Sequence, residues 1–408
     1  MLKIVSYVII SIALLMTAVK PVAAADNCSN KFPINKNGVT GNLLYCSNKA
    51  LQTQDVTVKR LIIVVHGTNR DANNYFGYMT SAAQSAHSTD SLIIAPHFVI
   101  PGDVNDPNAL TWAQNEDWKI GSPSQSTPQI GSFAAIDQLI ALTIDSKKFP
   151  NLKRVIVVGH SAGGQFTHRY SAGTQIDQKI KASGMSIRYI VANPSSYLYF
   201  TPERPVNGSE TQFANPSNGS CPHYDNYKYG FKNMNPYMNA LGPEKIKSQF
   251  KDKNVIYLLG DRDTDPNDSD LDKNCAAEAQ GAFRYQRGNA YYGYIKHLYG
   301  DAITTNQIVA IVPGVAHDNN AMLNSEQAKQ YLFDDVSNTG SVNPVPSAVC
   351  AGSTNSICQT PTPPTESITP SPSTNSSTRN LFANLDNPDS RSMLLLLLLL
   401  FLKIFTGI

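Results

Sequence analysis

A serine set between glycines is the first candidate for chemistry in this sequence. Residues 154–170 read RVIVVGHSAGGQFTHRY, so a β-branched run leads into Gly159-His160-Ser161-Ala162-Gly163 and a helix-like segment follows. The order predicts a strand, a tight turn and a helix with Ser161 at the apex, because glycines remove Cβ atoms where the strand and helix crowd together. Such a turn can present the hydroxyl as a nucleophile. The alternative is an ordinary turn whose serine caps the helix.

A serine hydroxyl needs a general base within reach, and the base needs an orienting acid. His317 follows the apolar run 308–312 in the segment VPGVAH, and Asp263 follows the run 255–259 in GDRDTDP. Both would lie at the carboxyl edge of a parallel sheet, where such sheets keep their ligand sites. The sequence therefore predicts His317 as the base and Asp263 as the acid, with Asp261 and Asp265 as competitors for the second role.

An oxyanion formed during acyl transfer needs two hydrogen-bond donors. The backbone N–H of Ala162, directly after the serine, is one candidate, and Thr68 in the segment His66-Gly67-Thr68 is the other. Because both donors are backbone groups, the shape of the loop should matter more than the Thr68 side chain.

The elements that must position these residues are buried strands alternating with helices. Apolar runs predict strands at 60–65, 91–95, 155–158, 187–192, 255–259 and 308–312, and periodic segments predict helices at 133–145 and 325–336. Residues 26–59 are turn-rich and predict a strand pair. The alternation predicts an α/β class, with a mostly parallel doubly wound sheet that has helices on both faces. The long segment 195–251 interrupts the rhythm and predicts a lid-like insertion after strand 6.

Four aromatic residues could contact a substrate near the site. They are Trp112, Trp118, Tyr197 and Tyr199. These rings could line an acyl or sugar-bearing pocket. They could equally be packed in the core or under a lid.

No cofactor or metal is expected. The acidic run 261–272 imitates a calcium-binding loop, but Pro266 stands where that loop requires glycine and Asp272 where it requires glutamate. None of the cysteines forms a C-x-x-C motif, which argues against zinc. The balance of 33 basic and 31 acidic side chains gives no sign of a nucleic-acid partner.

The six cysteines predict disulfides in an exported protein. They are Cys28, Cys46, Cys221, Cys275, Cys350 and Cys358. Six cysteines allow 15 pairings, and short loops favour pairing each cysteine with its neighbour in the chain. N-glycosylation sequons at Asn27, Asn207, Asn218, Asn267 and Asn375 would be used if the source is eukaryotic.

The two ends of the chain predict targeting rather than folding. Residues 1–25 combine Lys3, an apolar run and a small-residue region, which predicts a secretory signal peptide, or alternatively an uncleaved anchor. The catalytic domain would span 26–340, and a linker rich in Ser, Thr, Pro and Asn would span 341–392. The hydrophobic tail 393–408 suits a signal for a lipid anchor, a short membrane tail, or neither.

The motifs together resemble the α/β-hydrolase superfamily over about residues 60–336. The resemblance is carried by VVHGTN (64–69), GHSAGG (159–164), GDRDTDP (260–266) and PGVAH (313–317), in the chain order Ser, Asp, His. Longer phrases, VANPSSYLYF (191–200) and CAAEAQG (275–281), resemble a group of secreted esterase- or depolymerase-like enzymes. The resemblance implies an α/β-hydrolase fold, with Ser161 as nucleophile, Asp263 as acid and His317 as base.

The sequence thus predicts a secreted or surface-anchored serine hydrolase that acts on a small-molecule or polymeric ester. The same triad could cleave amides or peptides. A protein of another class, a catalytically inactive surface-binding protein on a hydrolase scaffold, would also carry the stalk and tail.

Overall fold

A computed structural model describes residues 28–113, 115–216, 219 and 221–334. The predicted signal peptide, linker and hydrophobic tail, and the cysteine pair 350 and 358, lie outside these residues. Within the described part, no helix combines the length and apolar character needed to cross a membrane.

An eight-stranded sheet organises the described chain. Its strands are β1 (Asn30–Lys36), β2 (Val39–Ser47), β3 (Arg60–Val65), β4 (Ser91–His97), β5 (Arg154–His160), β6 (Ser186–Ala192), β9 (Val255–Gly260) and β10 (Gln307–Val312). A separate two-stranded ribbon, β7 (Arg204–Pro205) and β8 (Phe213–Ala214), lies in the insertion.

The strand order in the sheet is β1-β2-β4-β3-β5-β6-β9-β10. The pairs from β4 to β10 are parallel, whereas β1 pairs with β2 and β2 with β4 in antiparallel fashion. The predicted mostly parallel sheet is therefore confirmed, and so is the strand pair expected before residue 60. The central strands β3, β5 and β9 are buried along their whole length apart from Arg154, as expected for a sheet covered on both faces.

Helices cover the sheet and fill the connections. They are α1 (Ala72–Ser85), α2 (Asn115–Lys119), α3 (Ser132–Asp145), α4 (Ala162–Gly173), α5 (Ile176–Ala182), α6 (Pro236–Leu241), α7 (Pro243–Phe250), α8 (Cys275–Glu278), α9 (Arg284–Tyr299), α10 (Asn319–Leu323) and α11 (Glu326–Phe333). Short 3₁₀ turns occur at Val206–Gly208 and Asp301–Thr305. The predicted helix at 133–145 is confirmed as α3. The closing helix is shorter than predicted: α11 begins after Ser325, whose hydroxyl accepts the Ala328 N–H.

Alternate residues of the central strands belong to two separate hydrophobic clusters, one on each face of the sheet. Ile63 and Val157, for example, belong to one cluster, and Ile62 and Ile156 belong to the other. This division follows from the period of two in a strand. Two disulfides, Cys28–Cys46 and Cys221–Cys275, confirm the neighbour pairing for four of the six cysteines.

Candidate active site

The turn at Ser161 is as sharp as the sequence predicts. Ser161 has φ 59° and ψ −118°, a conformation that side-chain-bearing residues rarely adopt. Its N–H donates to the Ala192 carbonyl at 2.9 Å, which ties the turn to the end of β6. A Cβ on Gly159 would lie 2.2 Å from the Gly163 carbonyl oxygen, so the turn tolerates only glycine there.

The structure brings the three predicted polar side chains together. His317 Nε2 lies 2.9 Å from Ser161 Oγ, and His317 Nδ1 lies 2.6 Å from Asp263 Oδ2. The carboxylate fixes the tautomer, because Nδ1–H donates to it and leaves Nε2 as the acceptor for the serine hydroxyl. Ser161 is 7% exposed and Asp263 3%, so both ends of this hydrogen-bonded chain are shielded from bulk water.

Two loops that follow neighbouring strands hold the base and the acid. The Arg262 N–H donates to the Val315 carbonyl at 3.0 Å, and the Gly314 N–H donates to Asp261 Oδ1 at 2.7 Å. Asp261 therefore braces the histidine loop. Asp265 accepts the N–H of Asn267 in an exposed turn. Of the three aspartates in the run 261–265, Asp263 is the one that contacts His317.

Two further carboxylates of the acidic run pair with cations of the protein. Asp268 lies 3.0 Å from Arg284, and Asp272 lies 3.0 Å from Lys228. Burial alone would raise the pKa of Asp272, but the Lys228 charge and the hydrogen bonds from Lys228 and Tyr229 outweigh it and lower that pKa. These groups act as internal counterions.

The two predicted oxyanion donors lie on segments that touch. A Cβ on Gly163 would lie 2.2 Å from the Val65 carbonyl oxygen and 2.6 Å from that of His66, so the start of α4 rests against the loop that leads to Thr68. Among the described residues, neither the Thr68 N–H nor the Ala162 N–H donates a hydrogen bond to another protein group. Both donors are therefore available to a ligand.

His66 orients the peptide that carries the Thr68 N–H. Its Nε2 accepts the Phe98 N–H at 3.0 Å, so Nδ1 carries the proton and donates to the Gly67 carbonyl at 2.9 Å. The Arg70 N–H donates to the same carbonyl at 3.2 Å. In a trans peptide the C=O and N–H bonds point in opposite directions. Fixing the Gly67 carbonyl therefore also fixes the direction of the Thr68 N–H. Burial lowers the pKa of His66 to about 3, which keeps the imidazole neutral.

A second histidine lies against the candidate base. The rings of His160 and His317 are 4.5 Å apart between centroids, and the Tyr75 hydroxyl lies 3.3 Å from His160 Nδ1. Burial and the neighbouring His317 lower the pKa of His160, so it packs as a neutral ring. No role for the His160 imidazole was predicted from the sequence.

The four aromatic residues predicted to contact substrate are core residues instead. Trp112, Trp118, Tyr197 and Tyr199 have no exposed surface in the structure. Trp118 stacks on Phe98 with ring centroids 5.5 Å apart. The expectation of substrate contact is therefore corrected in favour of core packing, since rings of this size gain most when fully buried.

No protein-family model matches the sequence, and neither does any curated protein. Among solved structures, poly(aspartic acid) hydrolase-1 from Sphingomonas sp. KT-1 is similar with a TM-score of 0.50 and 20% identity, over 75% of this chain and 98% of that one. The strand order, the turn at Ser161 and this similarity agree. The chain has the α/β-hydrolase fold.

Two further solved structures are similar at lower scores. LpqC, a poly(3-hydroxybutyrate) depolymerase from Bordetella parapertussis, has a TM-score of 0.47 and 21% identity over 72% of this chain and 86% of that one. FphF, a fluorophosphonate-binding serine hydrolase of Staphylococcus aureus, has a TM-score of 0.39 and 13% identity over 74% of this chain and 96% of that one.

Proposed function

We propose that this protein is a serine hydrolase that cleaves an ester through an acyl-enzyme. The observation that carries the proposal is the continuous hydrogen-bonded chain from Ser161 Oγ through the His317 imidazole to Asp263 Oδ2, at 2.9 and 2.6 Å. A hydroxyl, an imidazole and a carboxylate in this order are the parts that nucleophilic acyl transfer requires.

In the proposed reaction, Ser161 Oγ attacks the substrate carbonyl carbon while His317 Nε2 takes the hydroxyl proton. The carbonyl oxygen becomes an oxyanion, which the N–H groups of Thr68 and Ala162 stabilise. His317 then gives its proton to the departing alcohol as the carbon–oxygen bond breaks. Water then attacks the carbonyl carbon of the acyl-enzyme while His317 takes one of its protons. The carboxylic acid leaves as His317 returns that proton to Ser161 Oγ. Asp263 stabilises the imidazolium throughout.

We infer an ester rather than an amide because an alkoxide is the better leaving group, so the same groups face a lower barrier. The ester could be a small molecule or part of a polymer. Amide cleavage by the same residues is the near alternative, and a panel of matched p-nitrophenyl esters and p-nitroanilides of increasing acyl length separates the two. Faster turnover of anilides than of esters would reject the ester assignment.

The two disulfides in the described residues support a protein that works outside the cytosol. We infer export through the predicted signal peptide, with attachment to a cell surface through the C-terminal tail as a further expectation. Secretion of the full chain by its source cells, and its release by a phospholipase that cuts lipid anchors, would test both points.

A fluorophosphonate probe tests the proposed chemistry without knowledge of the substrate, because it reacts with activated serines. We expect wild-type protein to be labelled and Ser161→Ala to lose the label. Ser171→Ala is the matched control, since Ser171 is also buried in α4 and its hydroxyl only donates to the His168 carbonyl. Folded wild-type protein that takes no label would reject the proposal and favour an inactive binding protein.

A further inference from the structure

Arg284 lies directly behind the candidate acid and has no place in the proposed reaction. It is the first residue of α9 and is fully buried. Its Nη1 lies 3.3 Å from Asp263 Oδ1, which is the carboxylate oxygen that His317 leaves free. The Asp263 carboxylate is therefore held on both oxygens, by the imidazole on one side and by the guanidinium on the other.

The remaining guanidinium donors fix Arg284 in this position. Nη2 donates to Asp268 Oδ1 at 3.0 Å, and Nε donates to the Ser195 hydroxyl at 3.0 Å. The next residue of the helix also contacts the acid, since the Tyr285 N–H donates to the Asp263 carbonyl at 3.1 Å. The start of α9 thus holds both the side chain and the backbone of Asp263. A planar fork with three partners holds its geometry better than a flexible ammonium would.

The charges around His317 follow from this arrangement. Asp263 pairs with it directly, Arg284 and Asp268 lie behind Asp263, and neutral His160 packs against the ring. An imidazole facing an unshared carboxylate would hold its proton strongly and would be protonated, and so inactive as a base, over a wider pH range. The Arg284 cation opposes that effect, and the Asp268 anion partly offsets Arg284.

We propose that Arg284 is a positioning residue, which holds Asp263 in the orientation that receives the His317 Nδ1–H and, balanced by Asp268, sets the pH at which His317 becomes a competent base. This proposal rests on the proposed function. It separates two effects of one side chain. The fork geometry of Arg284 controls the rate, and its charge controls the pH dependence.

The test measures the rate constant of fluorophosphonate labelling from pH 4.5 to 9, using only pH values at which circular dichroism shows that the wild type and each variant are folded. Arg284→Gln removes the cation, so the acidic limb should move to higher pH by about 0.5 to 1 unit, below the 1–3 units typical of a charge in direct contact. Asp268→Asn removes an anion and should move the limb to lower pH by a similar amount. Arg284→Lys keeps the charge but loses the fork, so the limb should stay in place while the plateau rate falls about tenfold or more.

Asp145→Asn is the charge-matched control. Asp145 is the last residue of α3 and pairs with Lys179 at 2.6 Å, with both side chains exposed, so neither limb nor rate should change. Limbs that coincide with the wild type in both Arg284→Gln and Asp268→Asn would overturn the proposal. Should Arg284→Gln fail to fold, Asp268→Asn decides alone, because its side chain is partly exposed. A wild-type protein without labelling would instead reject the proposed function itself.

Discussion

Adding one methyl group at Gly163 should disturb both the fold and the oxyanion donors. A Cβ there would lie 2.2 Å from the Val65 carbonyl oxygen and 2.6 Å from that of His66. Both contacts are with backbone at the end of the central strand β3, so no side chain can rotate away. Either α4 or the loop that leads to Thr68 must move by about an ångström, because unbonded carbon and oxygen need more than 3 Å.

Overpacking of this kind typically costs about 1–3 kcal/mol, and the two backbone contacts place Gly163→Ala toward the upper end. In a domain of this size about 3 kcal/mol corresponds to a melting temperature about 5 °C lower. Displacement of the Thr68 N–H from its position beside Ala162 should cost about as much as losing one oxyanion donor, which is about 100- to 1000-fold in rate. Differential scanning fluorimetry and fluorophosphonate labelling below the melting range measure the two effects separately.

Gly77→Ala is the matched control for this substitution. Gly77 lies within α1, and a Cβ there would meet no atom within 4 Å. Alanine should raise the stability by about 0.5–1 kcal/mol through helix propensity and leave labelling unchanged. If Gly163→Ala instead melts and labels like the wild type, the packing of α4 against the β3 loop does not set the oxyanion site, and the reasoning fails.

Three further outcomes follow from burial and charge. Burial is the main cause that lowers the pKa values of His66, His160 and His168. At acidic pH these histidines therefore bind protons in the unfolded chain and stay neutral in the native state. The free energy of unfolding should therefore hold above about pH 6.5 and fall below it by about 1.4 kcal/mol per pH unit for each histidine, and urea titrations that show no decline between pH 7.5 and 5.5 would contradict this. Asp272 has a lowered pKa, so Asp272→Asn should destabilise strongly at pH 7 and less as the pH falls below about 4, and an equal loss at pH 7 and pH 3 would argue against its ion pair. Thr68→Ala should label within about threefold of the wild type because the proposed donor is the backbone N–H, and a loss near 100-fold would assign the role to the hydroxyl instead.

The candidate site was predictable because its residues follow strand ends. Continuous apolar runs identify buried parallel strands, and the carboxyl ends of such strands meet at one edge of the sheet. Ser161, Asp263 and His317 each come within about five residues of the end of such a run, so their proximity followed from topology without any contact being known. The spacing within GDRDTDP also favoured Asp263, and the structure explains that preference, since Asp261 accepts the Gly314 N–H and Asp265 accepts the Asn267 N–H.

Helix α9 was not predicted, and with it Arg284 was missed. Its sequence RYQRGNAYYGYIKHLY contains few aliphatic residues and two glycines. It is buried through tyrosines and two arginines instead, and Tyr291 and Tyr294 have no exposed surface. An analysis of hydrophobic periodicity treats such a segment as polar. Tyrosine and arginine carry polar groups, although the apolar parts of their side chains pack in the core. Helix α1, with the sequence ANNYFGYMTSAAQS, was not predicted either, because it also contains few aliphatic residues.

The four aromatic residues predicted as substrate contacts show a second limit of the sequence. Composition marks tryptophan and tyrosine as suited equally to a binding surface and to a core, since each has a large apolar body and one polar group. Trp112 resolves the choice by donating its Nε1–H to the Ser122 carbonyl at 3.0 Å, which allows the whole indole to be buried. That partner comes from a loop ten residues away, and no local pattern predicts the contact.

One connected set of hydrogen bonds holds the loops that carry the three catalytic candidates. Asn193, just beyond β6, accepts the Gly260 N–H through its side-chain oxygen at 2.9 Å and donates to the Ala316 carbonyl at 3.4 Å. The Asn193 side-chain amide therefore joins the end of β6 to the loops that carry the acid and the base. The Ser161 N–H donates to the carbonyl of the last β6 residue, Ala192. The distances between hydroxyl, imidazole and carboxylate are thus set by adjacent strands of a buried sheet, which holds the three groups in hydrogen-bonding geometry.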